Sequence, residues 1–292
     1  MLSFLSSLKT SLIQKKVKRK FSNGEYKLES VLSCLCGSEN LEPVAYRDSF
    51  GFPIGVTLCK RCGLGLLNPK PEDETLRQFY ERDYRALYRG SSSMDDGYFM
   101  RSHRRGKKIY EYIEAHRPDA KINVVAEVGC GPGGILKYFQ ERGKEAYGCE
   151  FDSECVKLAN SKGVKTFFGG VETMESEGVR ADLLILSHLV EHISDPDRFL
   201  KQAEKIMADG AIVYVEVPGL RNKSNNFFSS VQIAHLYYYD LTTLSSVMGK
   251  NGFNMLCGDE AVRSLFTKGD CEKVILDGNY EKNIDVIESW KN

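Results

Sequence analysis

The sequence predicts an α/β protein: a mostly parallel sheet with helices on both faces, preceded by a small cysteine-rich module. Three observations carry this expectation. From Ile122 onward, short apolar runs alternate with amphipathic segments across glycine turns, the pattern of strand and helix in repetition. The stretch Glu127-Val128-Gly129-Cys130-Gly131-Pro132-Gly133-Gly134 follows the first of those runs and opens a helix. Four of the 9 cysteines, Cys34, Cys36, Cys59 and Cys62, cluster ahead of the repeating region.

Composition narrows the class. The 292 residues carry 40 Lys+Arg against 40 Asp+Glu, so the broad positive field of a general nucleic-acid binder is not expected. No apolar run approaches the ~20 residues needed to cross a bilayer. A secretory leader is not expected either, because no clean apolar stretch and cleavage site follow a basic start. An odd cysteine count with an uneven distribution fits a reducing compartment, hence the cytoplasm, and a metal site better than a disulfide framework.

Residues 1–30 form a basic amphipathic segment. Leu5, Leu8, Leu12 and Ile13 recur at helical spacing, and Lys15, Lys16, Lys18, Arg19 and Lys20 follow. Two readings are open for residues 1–22, a solvated or self-docked tail, or contact with an anionic membrane on its cytoplasmic face. Residues 31–72 are the cysteine module, with a strand-like stretch from Ile54 to Leu58. Residues 73–118 read as a helical connector or lid: a first helix with Glu72, Glu74, Leu76, Phe79 and Tyr80 as its periodic face, a Gly90-Ser91-Ser92-Ser93 loop, and a second helix from Tyr98 to His116 that Pro118 stops. Tyr80, Tyr84 and Tyr88, four apart, form either an aromatic packing stripe or a lid; Phe227 and Phe228 are open to the same two readings.

The core spans 119–262. Its strands are expected at Ile122–Val128, Ala146–Glu150, Thr166–Phe168, Ala181–Ser187, Ala211–Val217 and Phe253–Cys257. Helices are expected at Gly133–Arg142, Glu154–Lys162, Pro196–Met207 and Leu241–Gly249. Residues 263–292 read as a C-terminal extension with one more strand, Lys273–Leu276, and a terminal helix.

A glycine loop between strand and helix lets the backbone approach a ligand closely, with helix N–H groups aimed at it. Its spacing fits two patterns: Gly129, Gly131 and Gly134 satisfy G-x-G-x-x-G, whereas Gly129, Gly131 and Gly133 satisfy G-x-G-x-G. Glu150 ends the next strand, 21 residues after Gly129, where a carboxylate accepts ribose hydroxyls, so an adenosine-bearing cofactor is indicated. Glu127 favours one that carries an ammonium and a sulfonium over a nicotinamide dinucleotide, since an acid there would repel a pyrophosphate.

Val124 to Leu136, Tyr147-Gly148-Cys149-Glu150, and the region Ala181–Gly219 together resemble the class I S-adenosylmethionine-dependent methyltransferases. That last region holds Ser187-His188-Leu189-Val190-Glu191-His192-Ile193, Asp195-Pro196 and Tyr214-Val215-Glu216-Val217-Pro218. The resemblance covers about half the chain. It implies a Rossmann-like sheet and S-adenosylmethionine as cofactor. It places Glu127, Gly129, Gly131 and Gly133 at the methionine and ribose end, Glu150 on the ribose hydroxyls and Phe151 against the adenine. Gly170 and Val171 would offer backbone near the adenine amino group, and Ser187 and His188 join the cofactor-binding set.

Cys59-Lys60-Arg61-Cys62-Gly63 is a metal knuckle, two thiolates two residues apart followed by a turn glycine. With Cys34 and Cys36, 25 and 23 residues upstream of Cys59, it makes a four-thiolate set suited to structural Zn2+. The Cys34–Cys36 spacing is one residue shorter than usual, so Cys34 needs a distorted turn or the site is incomplete. With Asn68-Pro69, Phe79-Tyr80 and Tyr84, this zinc-ribbon-like module is similar to the N-terminal domain of nucleotide-sugar C-methyltransferases. The resemblance implies a sugar or glycan acceptor. The large C-terminal domain of those enzymes is not expected, since only about thirty residues follow Val262. O- and C-methylation therefore both stay open.

A base completes the expected site. His103 and His116 sit on the charged helix before the core and read as solvated. His188 and His192 follow the fourth core strand, where open α/β sheets place ligands, and four-residue spacing puts both on one face of a helical turn. His192 is the first candidate base, with Glu191 beside it. His235, in the loop after Pro218, is the second. The reading is an S-adenosylmethionine-dependent methyltransferase acting on a small molecule or glycan. Its rivals are an RNA- or protein-modifying methyltransferase and a non-catalytic cofactor-binding scaffold in a glycan-assembly complex.

Overall fold

Apolar strands buried on both faces require a sheet covered by helices. The computed structural model, which describes residues 2–89, 95–224, 226–269 and 274–291, builds one in a unit comprising Met94–Gly219 and Leu241–Ile275. Its strands are β1 (Val124–Val128), β2 (Glu145–Glu150), β3 (Lys165–Phe168), β4 (Ala181–Ser187), β5 (Met207–Glu216), β6 (Phe253–Gly258) and β7 (Arg263–Lys268). The sheet order is β6-β7-β5-β4-β1-β2-β3. The five strands from β3 to β5 are mutually parallel, while β7 runs antiparallel to both β5 and β6.

From β1 the chain winds outward through β2 and β3, then returns beside β1 to form β4 and winds the other way. The carboxyl ends of β1 and β4 therefore flank a topological switch point, the place where such sheets receive ligands. The order and parallel core bear out the α/β Rossmann-like expectation.

Helix starts are specified by side chains. In α1 (Asp96–His116), the Asp95 carboxylate accepts the Tyr98 N–H at 2.8 Å. Helix α2 (Gly134–Gln140) follows the glycine loop, and α3 (Ser153–Ser161) is capped by Asp152, which accepts from Glu154 and Cys155 N–H. The short α4 (Val171–Ser176) comes next; α5 (Pro196–Glu204) has Asp195 as cap with Pro196 at its first position. Helix α6 (Leu241–Lys250) precedes β6. Ile109 and Ile113 of α1 pack with Val125, Ile135, Leu136, Phe139, Leu183, Ile185 and Tyr214 in the buried core of this unit.

Several boundaries differ from the sequence reading. The core does not end at Val262: Arg263–Lys268 is a sheet strand, obscured by its short apolar run of Leu265 and Phe266. The helix expected to reach Met207 stops at Glu204, because Met207 already pairs with Ala181 in the sheet. Of the strand expected at Lys273–Leu276, Lys273 lies outside the described residues and the rest is not strand. The Gly90–Ser93 loop, and the side chains of Leu5 and Leu8, also lie outside them.

The second unit draws on three stretches, Met1–Ser93, Leu220–Asp240 and Leu276–Asn292. The helical connector expected at 73–118 is thus divided: Asp73–Arg82 and Tyr84–Arg89 belong here, and α1 to the other unit. Strands 41–45, 56–59 and 65–67 form an antiparallel sheet extended by Tyr237–Tyr238, which pairs with Gly65 and Leu66. Phe52, Ile54, Val56, Leu58, Phe79, Phe227 and Ile233 fill its core. Phe227 is thereby a core residue, with Phe228 packed against it. Tyr84 and Tyr88 pack on the same core with rings 5.3 Å apart, the packing stripe rather than a lid.

The N-terminal helix Leu2–Ser22 docks into this core as well. Val17 is fully buried, and buried Asp83 holds both Lys20 at 2.8 Å and Lys16 at 2.9 Å. Two of the five basic residues thus neutralise an internal carboxylate, as the self-docked reading requires. No helix among the described residues is long and apolar enough to cross a membrane.

Candidate functional site

The glycine loop at the end of β1 resolves the spacing left open above. Gly129, Gly131 and Gly133 have φ of 70°, 52° and 77°, whereas Gly134 is the first residue of α2. The left-handed positions are therefore those of G-x-G-x-G. A side chain at Gly131 would be doubly resisted, since its Cβ would also lie 3.1 Å from the Tyr98 hydroxyl.

Glu150, at the end of β2, fastens this loop from the side. Its Oε2 accepts the Gly131 N–H at 2.9 Å and its Oε1 accepts the Asp152 N–H at 3.0 Å. Glu127 on β1 is 2% exposed, and its Oε2 has no hydrogen-bond partner among the described residues. Burial pushes its carboxyl well above the usual carboxylate range, the charge of Glu150 adds to that, and Arg105 opposes it. A buried acid with an open acceptor oxygen beside a side-chain-free cradle fits a cofactor that presents an ammonium group.

Phe151 is 71% exposed directly after Glu150. Phe168, missed by the sequence reading, is also exposed and pairs with Glu150 in the β2–β3 register. Gly170 caps α4, and Val171 is buried, so Val171 has only its backbone to offer a ligand.

At the end of β4 the structure corrects the expected helical face. His188 and His192 do not share one: His188 has φ 52° and precedes a single 3-10 turn, Val190–His192. The two imidazoles are related instead through buried Glu191. Its Oε1 is 3.5 Å from His188 Nδ1 and 3.7 Å from His192 Nε2. Glu216, at the end of β5, was also missed. It accepts from Ser187 Oγ at 3.0 Å, and its other oxygen lies 4.0 Å from His188 Nε2. The available signal was an acid directly after the run Ala211–Val215, as Glu150 follows Ala146–Cys149. His235 belongs to the other unit, where it is buried and hydrogen-bonded to the Gln232 side chain.

In that unit the four cysteines converge. Cys34 and Cys62 sulfurs are 3.5 Å apart, Cys36 and Cys59 sulfurs 3.6 Å, and all four lie within 4.8 Å of one another. These separations exceed the ~2.05 Å of a disulfide. They suit tetrahedral thiolates at ~2.3 Å from a metal, which places sulfurs about 3.8 Å apart. Cys34 reaches the cluster despite the short spacing because Gly37, at φ 83°, returns its N–H to the Cys34 carbonyl at 2.7 Å.

A family described as a methyltransferase domain matches residues 100–257. The chain belongs to that family, and its fold is that of the class I S-adenosylmethionine-dependent methyltransferases. Among curated proteins, a trans-aconitate 2-methyltransferase of Mycobacterium ulcerans is 27% identical over 118 residues, 39% of this chain and 44% of that one. The match thus spans less than half the length of that relative. Among solved structures, the plantazolicin methyltransferase BpumL, in complex with a monoazolic desmethylPZN analog and SAH, has a TM-score of 0.51 at 13% identity over 66% of this chain and 93% of that chain. CalS10, an amino pentose methyltransferase of Micromonospora echinaspora, has a TM-score of 0.47 at 17% identity over 63% and 96%.

Proposed function

We propose that this chain transfers a methyl group from S-adenosylmethionine to a sugar or glycan-intermediate acceptor. The observation that carries the cofactor reading is the open oxygen of buried Glu127 beside the Gly129–Gly133 cradle. Glu127 takes the ammonium of the cofactor, Glu150 its ribose hydroxyls, Phe151 its adenine, and Gly170 and Val171 the adenine amino group through their backbone. Ser187 and His188 complete the set at the end of β4. Bound there, the cofactor supplies an electrophilic methyl group on a sulfonium.

The chain's own task is then to orient the acceptor and remove its proton. His192 accepts the proton as the acceptor atom gains the methyl group, and Glu191, 3.7 Å away, holds the resulting imidazolium. A positioned base of this kind accelerates such steps by roughly 10²–10⁴-fold. The four-cysteine cluster holds a structural zinc, since four thiolates leave no open position for substrate. The acceptor class rests on the likeness of this module to that of the sugar methyltransferases.

The test is transfer of a radiolabelled methyl group from S-adenosylmethionine to a panel of nucleotide sugars, glycan intermediates, bulk RNA and protein. Labelled sugar or glycan, lost in His192→Ala, is expected. Label in RNA or protein alone overturns the acceptor, and no label together with no cofactor binding by calorimetry overturns the whole reading.

A further inference from the structure

Helix Asn279–Ser289 carries two asparagines four residues apart, Asn279 at 3% exposure and Asn283 at 0%. Four-residue spacing sets both on one face. Their side-chain amides reach the metal knuckle, 217 and 220 residues away in sequence. Asn279 Nδ2 donates to the Cys62 carbonyl and Asn283 Nδ2 to the Gly63 carbonyl, each at 2.8 Å.

The second proton of each amide goes to the fully buried Asp240: Asn279 donates to its Oδ2 at 3.1 Å and Asn283 at 2.6 Å. Both amide oxygens are used as well. Arg221 Nε donates to Asn283 Oδ1 at 2.6 Å, and its Nη2 donates to Asn279 Oδ1 at 2.5 Å. Every donor and acceptor of the two amides is thus engaged, with an anion on the donor side and a cation on the acceptor side. A buried network satisfied to this degree is rigid and specifies one arrangement.

The two carbonyls it holds are those of the knuckle's turn. The peptide that presents the Gly63 carbonyl leads into Leu64, whose own carbonyl accepts the Cys59 N–H at 2.9 Å. The peptide that presents the Cys62 carbonyl also presents the Gly63 N–H, which closes the turn on the Cys59 carbonyl at 2.8 Å. A donor on one end of a peptide group strengthens the bond made by the other. Gly63 is fitted to this contact: its φ is 79°, and a Cβ there would lie 2.8 Å from Asn279 Nδ2.

We propose that Asn279 and Asn283, braced between Asp240 and Arg221, are positioning residues of the cysteine cluster: the C-terminal helix latches the Cys59–Gly63 knuckle in its metal-holding shape, and the closed knuckle in turn holds the helix. This rests on the zinc reading given above. It accounts for a unit assembled from three distant stretches of chain, because each stretch contributes a member of the network.

The test compares full-length wild type with Asn283→Leu, which keeps similar bulk without donors, and Asn283→Asp, which keeps the shape but replaces donors by acceptors. Each is loaded with one equivalent of Zn2+, and transfer of the metal to the chromophoric chelator 4-(2-pyridylazo)resorcinol is timed. Loss of an outer-shell partner of a metal ligand typically costs 10–100-fold in affinity. Release about 10-fold faster or more is expected in both variants, with Asn283→Asp the faster because it sets a second carboxylate against Asp240. Wild-type release rates in both would overturn the latch.

Hydrogen exchange in wild type supplies a measurement that needs no variant to fold. Stripping the zinc is expected to raise exchange across residues 279–289, and unchanged exchange there overturns the coupling. Wild type that takes up no zinc would overturn the zinc reading instead. The latch is then read by exchange at residues 59–64 in Asn283→Leu, where a rise upholds it and no change overturns it.

Discussion

Replacing Glu127 by glutamine keeps the shape of the side chain and removes its charge and its titration. Hydrogen bonds to charged groups contribute about 1.5–3 kcal/mol. S-adenosylmethionine should therefore bind about 10- to 150-fold more weakly to Glu127→Gln, at about 1.4 kcal/mol per tenfold. A pH signature accompanies the loss. Burial, reinforced by Glu150 and opposed by Arg105, raises the Glu127 pKa well above 4.5 in the folded protein, so the folded state retains a proton that the unfolded chain releases. Where the folded state binds more protons, stability falls as pH rises, here from about 4.5 through the raised folded value. Binding a cation favours the ionised acid, so affinity should rise with pH over that range and proton release should accompany binding. Calorimetry in two buffers of different ionisation enthalpy measures both quantities. Thermal unfolding of the ligand-free protein should show the decline in wild type and a flatter profile in the variant. Binding within twofold of wild type, with the same proton release, would refute the role assigned to Glu127.

Gly131→Ala forces a side chain into a left-handed residue, costing about 1–2 kcal/mol, and crowds the Tyr98 hydroxyl. A Tm lower by about 2–8 °C, together with weaker cofactor binding, is expected in a thermal-shift assay. Asp83→Asn strips buried Lys20 of its carboxylate and should cost about 3 kcal/mol, the low end for a broken buried pair because Glu25 still reaches Lys20 at 3.1 Å. Burial pushes Asp83 up, but hydrogen bonds from Lys20, Tyr26 and Lys16 more than offset it and leave its pKa below 3.8. Its stabilisation is thus present above that pH and lost as pH falls through the lowered value, so wild type should lose more Tm in acid than the variant does. Cys59→Ser should abolish stoichiometric zinc in metal analysis, and a strong chelator should destabilise wild type but not the variant.

Legibility from sequence followed the range of the interactions. Strand β4 was readable because burial on both faces leaves an unbroken apolar run, Leu183-Leu184-Ile185-Leu186. The glycine loop and Glu150 were readable because a turn, a helix start and a strand end lie close together in sequence. Strand β7 was not, because its place between β5 and β6 is set by pairing across the chain. The same holds for Tyr237–Tyr238, whose partners are Gly65 and Leu66. The helical pairing of His188 with His192 failed for a local reason: four-residue spacing implies one face only if the backbone is helical, and His188 is left-handed.

That left-handed histidine shapes the carboxyl end of β4. A non-glycine residue with φ 52° stores about 1–3 kcal/mol and persists only where its surroundings over-determine it. Glycine at this position would relieve the strain, so the backbone alone gives no reason for a histidine. The surroundings do. The His188 N–H is held by the Glu216 carbonyl at 2.7 Å, and its ring nitrogens face Glu191 and Glu216. The strain turns the imidazole between two carboxylates at the switch point, next to the turn that carries His192. Without that ring Glu191 and Glu216 would each lose an imidazole, so the strained residue adds to the Ser187–Glu216 bond a second link between the polar groups of β4 and β5.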